Sequence, residues 1–120
     1  GIGPFIPHPA TDLGQEPQGD PFLTLKAVAV TRIVTKTAHI PATTALGSVG
    51  HDFRPEALAA GANVMMPNFT PAPYRQMYEI YPNKRCVNEP VGACGDCLES
   101  MACGLGRHID YGRGDSLKRR

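Results

Sequence analysis

Residues 20–45 read DPFLTLKAVAVTRIVTKTAHIPATTA, and this stretch decides the fold. Asp20 followed by proline predicts a helix N-terminus, because aspartate caps free N–H groups and proline fits the first helical position. Apolar residues then recur at helical spacing to about Lys36, which indicates an amphipathic helix. The apolar run 39–46 follows and predicts a strand that leads into a polar loop. A helix followed closely by a strand is typical of α/β proteins.

The chain on either side of this stretch continues the alternation of strands and helices. Residues 3–7 form a short apolar run that predicts a strand before the first helix. Residues 54–60 predict a second helix, because Pro55 suits a first turn and Gly61 can adopt the left-handed conformation that ends helices. Residues 63–66 predict a third strand. Strands joined by crossover helices run parallel, so we expect an α/β fold with a parallel sheet whose further strands lie upstream.

A stripe of large side chains follows the third predicted strand. Tyr74, Met77, Tyr78 and Tyr81 share one face of a helix that Pro82 ends. Such a stripe at helical spacing favours packing in the core.

Composition and charge exclude several classes of protein. The 13 glycines and 12 prolines argue against an all-helical bundle. With 12 basic and 11 acidic residues the net charge is +1, so neither a nucleic-acid arm nor a membrane-surface patch is indicated. We also expect no transmembrane span and no signal peptide.

The four cysteines form a single group with the spacing Cys86-x7-Cys94-x2-Cys97-x5-Cys103. A CxxC pair at the start of a helix can grip one metal ion, since backbone N–H groups there stabilise thiolates. Zinc and an iron–sulfur cluster are both compatible with this pattern, and a redox CxxC or unliganded thiols remain alternatives. Cys103 is the weakest member, because its neighbours resemble packing positions.

Two further groups lie where ligands bind in parallel sheets. Thr43 and Thr44 follow the second predicted strand, at the carboxyl end where open sheets and barrels place their sites, although a turn or helix cap explains them equally well. Met65 and Met66 in the third strand are core residues by default, while a thioether at a strand end could also contact a cofactor.

Four motifs in order give the chain a specific resemblance: GIGPFIPHP at 1–9, IPATTA at 40–45, GANVMMPN at 61–68 and PYRQMY at 73–78. Together they resemble the C-terminal part of the HydE family of [FeFe]-hydrogenase maturases. This family belongs to the radical S-adenosylmethionine enzymes and is close to biotin synthase. The resemblance extends from residue 1 to about residue 107.

The resemblance implies a fold and a reaction for the full-length protein. It implies a (β/α)8 TIM-type barrel, with residues 1–85 as its last three or so βα units, 86–107 as a cysteine-rich accessory iron–sulfur cap and 108–120 as a basic tail. In such a barrel a [4Fe-4S] cluster reductively cleaves S-adenosylmethionine to a 5′-deoxyadenosyl radical. The CxxxCxxC ligands of that cluster lie in the missing N-terminal half, so we expect this chain alone to be inactive.

The resemblance also implies roles for particular residues. Thr43 and Thr44 match a pair that lines a substrate or anion pocket, and Met66, Tyr78 and Tyr81 match positions that face the cavity or the cofactor. The implied substrate is a small sulfur-containing amino-acid derivative, or an iron-bound cysteine complex delivered by another hydrogenase maturase. We expect a cytoplasmic protein.

Some family members carry an accessory cluster on cysteines with the spacing of Cys86, Cys94 and Cys97. Cys103 is an addition to that pattern, which leaves the fourth ligand and the choice between [2Fe-2S] and [4Fe-4S] open. The alternatives to a hydrogenase maturase are a biotin synthase-like enzyme and a stand-alone metal-binding module.

Overall fold

The order of elements in the structure, a computed structural model, is helix, strand, helix, strand, helix, with two 3₁₀ helices between them. The structure describes residues 1–88, 93–115 and 118. The elements in chain order are α1 (Pro21–Thr35), β1 (Pro41–Ala42), a first 3₁₀ helix (Thr44–Gly47), α2 (Arg54–Ala59), β2 (Val64–Met65), a second 3₁₀ helix (Ala72–Tyr78) and α3 (Ala93–Gly104).

Helix α1 begins and ends as its sequence predicts. The Asp20 carboxylate accepts a hydrogen bond from the backbone N–H of Phe22 at 2.8 Å, which satisfies one of the free donors of the first turn. Near the other end, the Arg32 side chain donates to the carbonyl oxygen of Gly61 at 2.8 Å. Gly61 has φ +121°, and a Cβ there would lie 2.7 Å from Arg32 Cβ. Glycine therefore allows the C-terminus of α2 to approach α1 closely.

Strands β1 and β2 pair in parallel, with Pro41 opposite Val64 and Ala42 opposite Met65. This confirms the predicted α/β class with a parallel sheet. The main core lies between the sheet and the first two helices, and Ala42 is the strand residue that it buries. Its buried members are Val28, Ile40, Ala42, Leu46, Ala57, Leu58 and Ala62.

The sheet is smaller than predicted. Residues 3–7 form no strand, so the first of the three predicted strands is wrong for this chain: Phe5 bonds instead to the loop that follows, where its carbonyl oxygen accepts from Gly19 N–H at 2.9 Å. A strand needs a ladder of such bonds with a neighbour. β1 is also shorter than the predicted run 39–46, because Leu46 N–H bonds back to the Thr43 carbonyl and turns the chain into the first 3₁₀ helix.

The helix predicted for the aromatic stripe is a 3₁₀ helix instead of an α-helix. The prediction that the stripe packs in the core is wrong. Tyr74, Met77 and Tyr78 are each more than half exposed. With three residues per turn, residues 74 and 77 share a face while residue 78 lies about 120° away, so the stripe is split. The α-helical spacing that suggested one buried face does not apply.

Helix α3 begins at Ala93, so the CxxC pair opens a helix as predicted. Leu98 on α3 packs with Cys86 in a second small core that Met65 and Ile109 border. After α3, Arg107 donates to the carbonyl oxygen of Leu58 at 2.9 Å and thereby attaches the segment after α3 to the end of α2. Among the described residues, no helix combines the length and apolar character needed to span a membrane.

Candidate functional site

The carboxyl ends of the two parallel strands open on a common cavity. Thr44 follows β1 by two residues and Met66 follows β2 directly, so both lie at the same edge of the sheet. The structure brings these two residues together with Cys86 around a cavity of about 190 Å³, the strand-end cavity. The other lining residues are Arg54, Pro67, Asn68, Lys84 and Arg85.

Thr43, the neighbour of Thr44, lies beneath the N-terminal segment and does not line this cavity. Its hydroxyl oxygen is buried and has no hydrogen-bond partner. A Cβ on Gly3 would lie 2.8 Å from that oxygen, so the absence of a side chain at position 3 leaves the hydroxyl its space. A buried hydroxyl without a partner costs about 1–3 kcal/mol, and a ligand group that bonds to it would recover that cost.

The most deeply buried charge at the cavity belongs to Arg54, which is 5% exposed. Its Nε and Nη2 atoms donate to the two carboxylate oxygens of Asp52 at 2.9 and 2.7 Å. Burial alone would raise the pKa of Asp52, but the hydrogen bonds and positive charge of Arg54 outweigh burial and hold that pKa below its usual value. Hydrogen bonding to Asp52 in turn raises the pKa of Arg54, so the pair stays ionised at neutral pH.

Lys84 and Arg85 line both the strand-end cavity and a second cavity of about 440 Å³. Arg85 Nε donates to the carbonyl oxygen of Gly47 at 2.7 Å, which attaches the segment before Cys86 to the first 3₁₀ helix. Lys84 Nζ donates to the carbonyl oxygen of Tyr78 at 2.6 Å. The strand-end cavity is therefore lined by three cationic side chains, one of which is balanced by Asp52.

The two tyrosines predicted to face the cofactor lie outside the strand-end cavity. Tyr78 is 58% exposed on the second 3₁₀ helix. Tyr81 is half-buried, and burial raises the pKa of its hydroxyl despite a hydrogen bond with Ser48. In this chain neither ring lies beside Met66 in the lining of the cavity.

The structure describes three of the four cysteine side chains. Cys86 is buried and adopts φ +62°, while Cys97 and Cys103 are exposed on α3. Cys86 shares the lining of the strand-end cavity with Arg54. Six residues on a helix are about 600° of rotation, which turns Cys103 about 120° from Cys97.

The Cys94 side chain lies outside the described residues, as do residues 89–92 of the cysteine loop. Among the side chains that are described, no group of three His, Cys, Asp or Glu could hold a metal ion. The predicted trio of Cys86, Cys94 and Cys97 therefore stays a prediction.

Sequence reasoning did not identify Arg54 or Asn68 as site residues. The sequence could have drawn attention to Arg54, because it lies in the first turn of a helix, where a positive charge opposes the helix dipole. Asn68 lies within the GANVMMPN motif, but its partner Cys86 is 18 residues away. Spacing alone could not pair them.

Comparison with known proteins shows that the chain is similar to a maturation protein of a metalloenzyme. The relative is the [FeFe] hydrogenase maturase subunit HydE of Thermotoga maritima, with 55% identity over 107 residues, or 89% of this chain. This similarity confirms the resemblance to the HydE family. The chain spans about a third of the relative's length, 31%. No family model matches the chain.

Proposed function

We propose that the full-length protein acts as a radical S-adenosylmethionine enzyme in the maturation of [FeFe] hydrogenase. In this proposal residues 1–85 contribute the last βα units of a (β/α)8 barrel, and residues 86–107 form its cap. The observation that carries the proposal is the 55% identity to HydE over 107 residues. The parallel pairing of β1 and β2 agrees with a barrel, in which every strand is parallel to its neighbours.

The substrate proposed is a small sulfur-containing amino-acid derivative or an iron-bound cysteine complex, supplied by another hydrogenase maturase in the cytoplasm. Thr43 and Thr44 would bind its anionic group. The unpartnered Thr43 hydroxyl supports this role, because it could donate a hydrogen bond to a ligand oxygen. Arg54, Lys84 and Arg85 around Thr44 favour a ligand that carries negative charge.

Met66, Tyr78 and Tyr81 are the proposed contacts to S-adenosylmethionine. Met66 lines the strand-end cavity, and the exposed ring of Tyr78 would become buried once the rest of the barrel is present. When bound, the [4Fe-4S] cluster and S-adenosylmethionine supply the radical that starts the reaction. In this proposal the ligands of that cluster lie outside the 120 residues, so Met66, Tyr78 and Tyr81 orient and enclose the reactants, and we expect the 120-residue chain alone to be inactive.

Cys86, Cys94 and Cys97 are the proposed ligands of an accessory [2Fe-2S] or [4Fe-4S] cluster. The donor chemistry of the described side chains fits such a group, since thiolates are the usual ligands of iron–sulfur clusters. Cys86 lines the strand-end cavity beside Arg54, and Cys97 lies on α3 next to Leu98, which packs with Cys86. Cys103 faces away from Cys97 and is dispensable in this proposal.

A complementation experiment tests the proposed function. In a host that contains an [FeFe] hydrogenase but lacks its own HydE, the full-length protein should restore hydrogen evolution, and the 120-residue chain should not. Replacing both Thr43 and Thr44 by Val should abolish the restoration while the protein remains soluble.

Two other outcomes would overturn the proposal in favour of an alternative. Growth of a biotin auxotroph without added biotin would identify a biotin synthase-like enzyme. Metal binding by the 120-residue chain, with no restoration of hydrogen evolution by the full-length protein, would identify a metal-binding module.

A further inference from the structure

The backbone of Cys86 has a conformation that non-glycine residues seldom adopt. Its φ of +62° lies in the left-handed region, which is unfavourable for a residue with a side chain. Such a conformation persists only where the surrounding contacts determine it. Cys86 is also buried, so its neighbours restrict this conformation.

Asn68 makes the contact that holds this conformation in place. Its Nδ2 atom donates to the carbonyl oxygen of Cys86 at 2.7 Å. Its Oδ1 atom accepts from the backbone N–H of Thr70 at 3.0 Å, so the carboxamide is used at both ends. The Thr70 donor fixes which end of the amide faces Cys86, because a flipped amide would place two donors together at Thr70 and two acceptors together at Cys86.

The residue before Cys86 is held as well, but by a different element. Arg85 N–H donates to the hydroxyl of Ser48 at 3.2 Å, and Arg85 Nε donates to the carbonyl oxygen of Gly47 at 2.7 Å. The turn at Cys86 is thus fixed on one side by the first 3₁₀ helix and on the other by Asn68. The side chain of Cys86 packs against Leu98, which is one residue beyond Cys97 on α3.

We propose that Asn68 is a positioning residue of the cysteine site, which holds Cys86 in its left-handed conformation and so directs the thiol toward α3 and Cys97. This inference rests on the accessory iron–sulfur site of the proposed function. Asn68 does not touch the metal. It acts on the main chain of a ligand, and partners of this kind change metal affinity by about 10–100-fold when they are replaced.

The decisive variant is Asn68→Asp. The carboxylate can still accept from Thr70 N–H, but it has no donor for the Cys86 carbonyl and sets two acceptors against each other. A matched control is Asn63→Asp, because the side-chain bond of Asn63 uses its oxygen alone, as acceptor from Ile40 N–H at 2.8 Å. Both variants add the same charge, and only the first removes a donor from the cysteine loop.

The measurement uses the full-length protein, reconstituted anaerobically with ferrous iron and sulfide. Accessory iron is the amount bound above that of a Cys86→Ser, Cys97→Ser double variant, and its retention is titrated with an iron chelator. We expect Asn68→Asp to lose accessory iron at chelator concentrations about 10–100-fold lower than the unchanged protein does, with an altered visible spectrum. Asn63→Asp should retain the iron and the spectrum of the unchanged protein.

The outcomes separate this inference from the function on which it rests. If the double cysteine variant holds as much iron as the unchanged protein, the accessory site itself is absent. If the iron depends on the cysteines but Asn68→Asp retains it normally, the positioning role is wrong. Should Asn68→Asp fail to fold, Asn68→Ala removes the donor without the repulsion, and normal iron retention in that variant would equally overturn the inference.

Discussion

Replacing Asp52 by Asn tests whether the buried Arg54 depends on its counter-charge. The asparagine oxygen can still accept from the backbone N–H and Nε of Arg54, which now bond to Asp52 Oδ1 at 3.1 and 2.9 Å. Its amide group would face Arg54 Nη2, which now donates to Oδ2 at 2.7 Å. The variant therefore loses one charge-assisted bond and leaves the guanidinium without a negative partner.

The magnitude follows from the burial of the pair. A hydrogen bond between charged groups contributes about 1.5–3 kcal/mol. The side chain of Asp52 is 23% exposed and that of Arg54 6%, so water screens the pair only in part. We expect Asp52→Asn to lower the free energy of unfolding by about 1–2 kcal/mol at pH 7.

The same pair predicts a dependence on pH. Because the pKa of Asp52 is lowered in the folded protein, its contribution is present above the unfolded value of 3.8 and is lost as the pH falls through the folded pKa. Urea unfolding followed by circular dichroism should therefore show a large difference between the two proteins at pH 7 that shrinks in strong acid.

An exposed ion pair provides the control for this prediction. Arg113 and Asp115 lie 3.3 Å apart with side chains 88% and 73% exposed. Asp115→Asn should change the unfolding free energy little at any pH, since water screens exposed pairs. The reasoning fails if Asp52→Asn unfolds like the unchanged protein at pH 7, or if its deficit persists undiminished in acid.

Three further outcomes are expected. Gly61→Ala should lower the free energy of unfolding by about 1–3 kcal/mol in urea titrations, and by more than Gly50→Ala. Both positions have a positive φ, but of the two only position 61 has a close neighbour. Equal losses in the two variants would contradict this prediction. Thr43→Val should weaken substrate binding by about 1.5–3 kcal/mol in calorimetry. The melting temperature should stay unchanged or rise, because the hydroxyl that is removed is buried without a partner. Normal binding with a lower melting temperature would show that this threonine is structural. Cys94→Ser should abolish the brown colour of reconstituted protein and Cys103→Ser should retain it, whereas equal loss in both variants, or zinc without sulfide, would refute the ligand set.

Local signals in the sequence predicted the helices and the edge of the sheet. The Asp20 cap and the glycine at position 61 each act within a few residues, so α1 and the end of α2 could be predicted from spacing alone. The site at the ends of parallel strands also followed from topology, and Thr44 and Met66 do line one cavity.

Features that depend on distant partners could not be predicted. The strand expected at residues 3–7 has no ladder in this chain, and the tyrosine stripe follows a 3₁₀ rather than an α-helical period. The contact of Asn68 with Cys86 and the approach of Cys86 to Arg54 join residues 18 or more positions apart. Residue types indicate that such groups need partners, but only the folded chain determines which partners they have.

The position of Lys84 and Arg85 bears on the neighbouring cysteine. These two residues line both the strand-end cavity and the larger one, and Cys86 is the next residue in the chain. A ligand in the strand-end cavity would contact all three residues, Cys86 included. We therefore expect such a ligand to reduce the access of solvent to the Cys86 thiol.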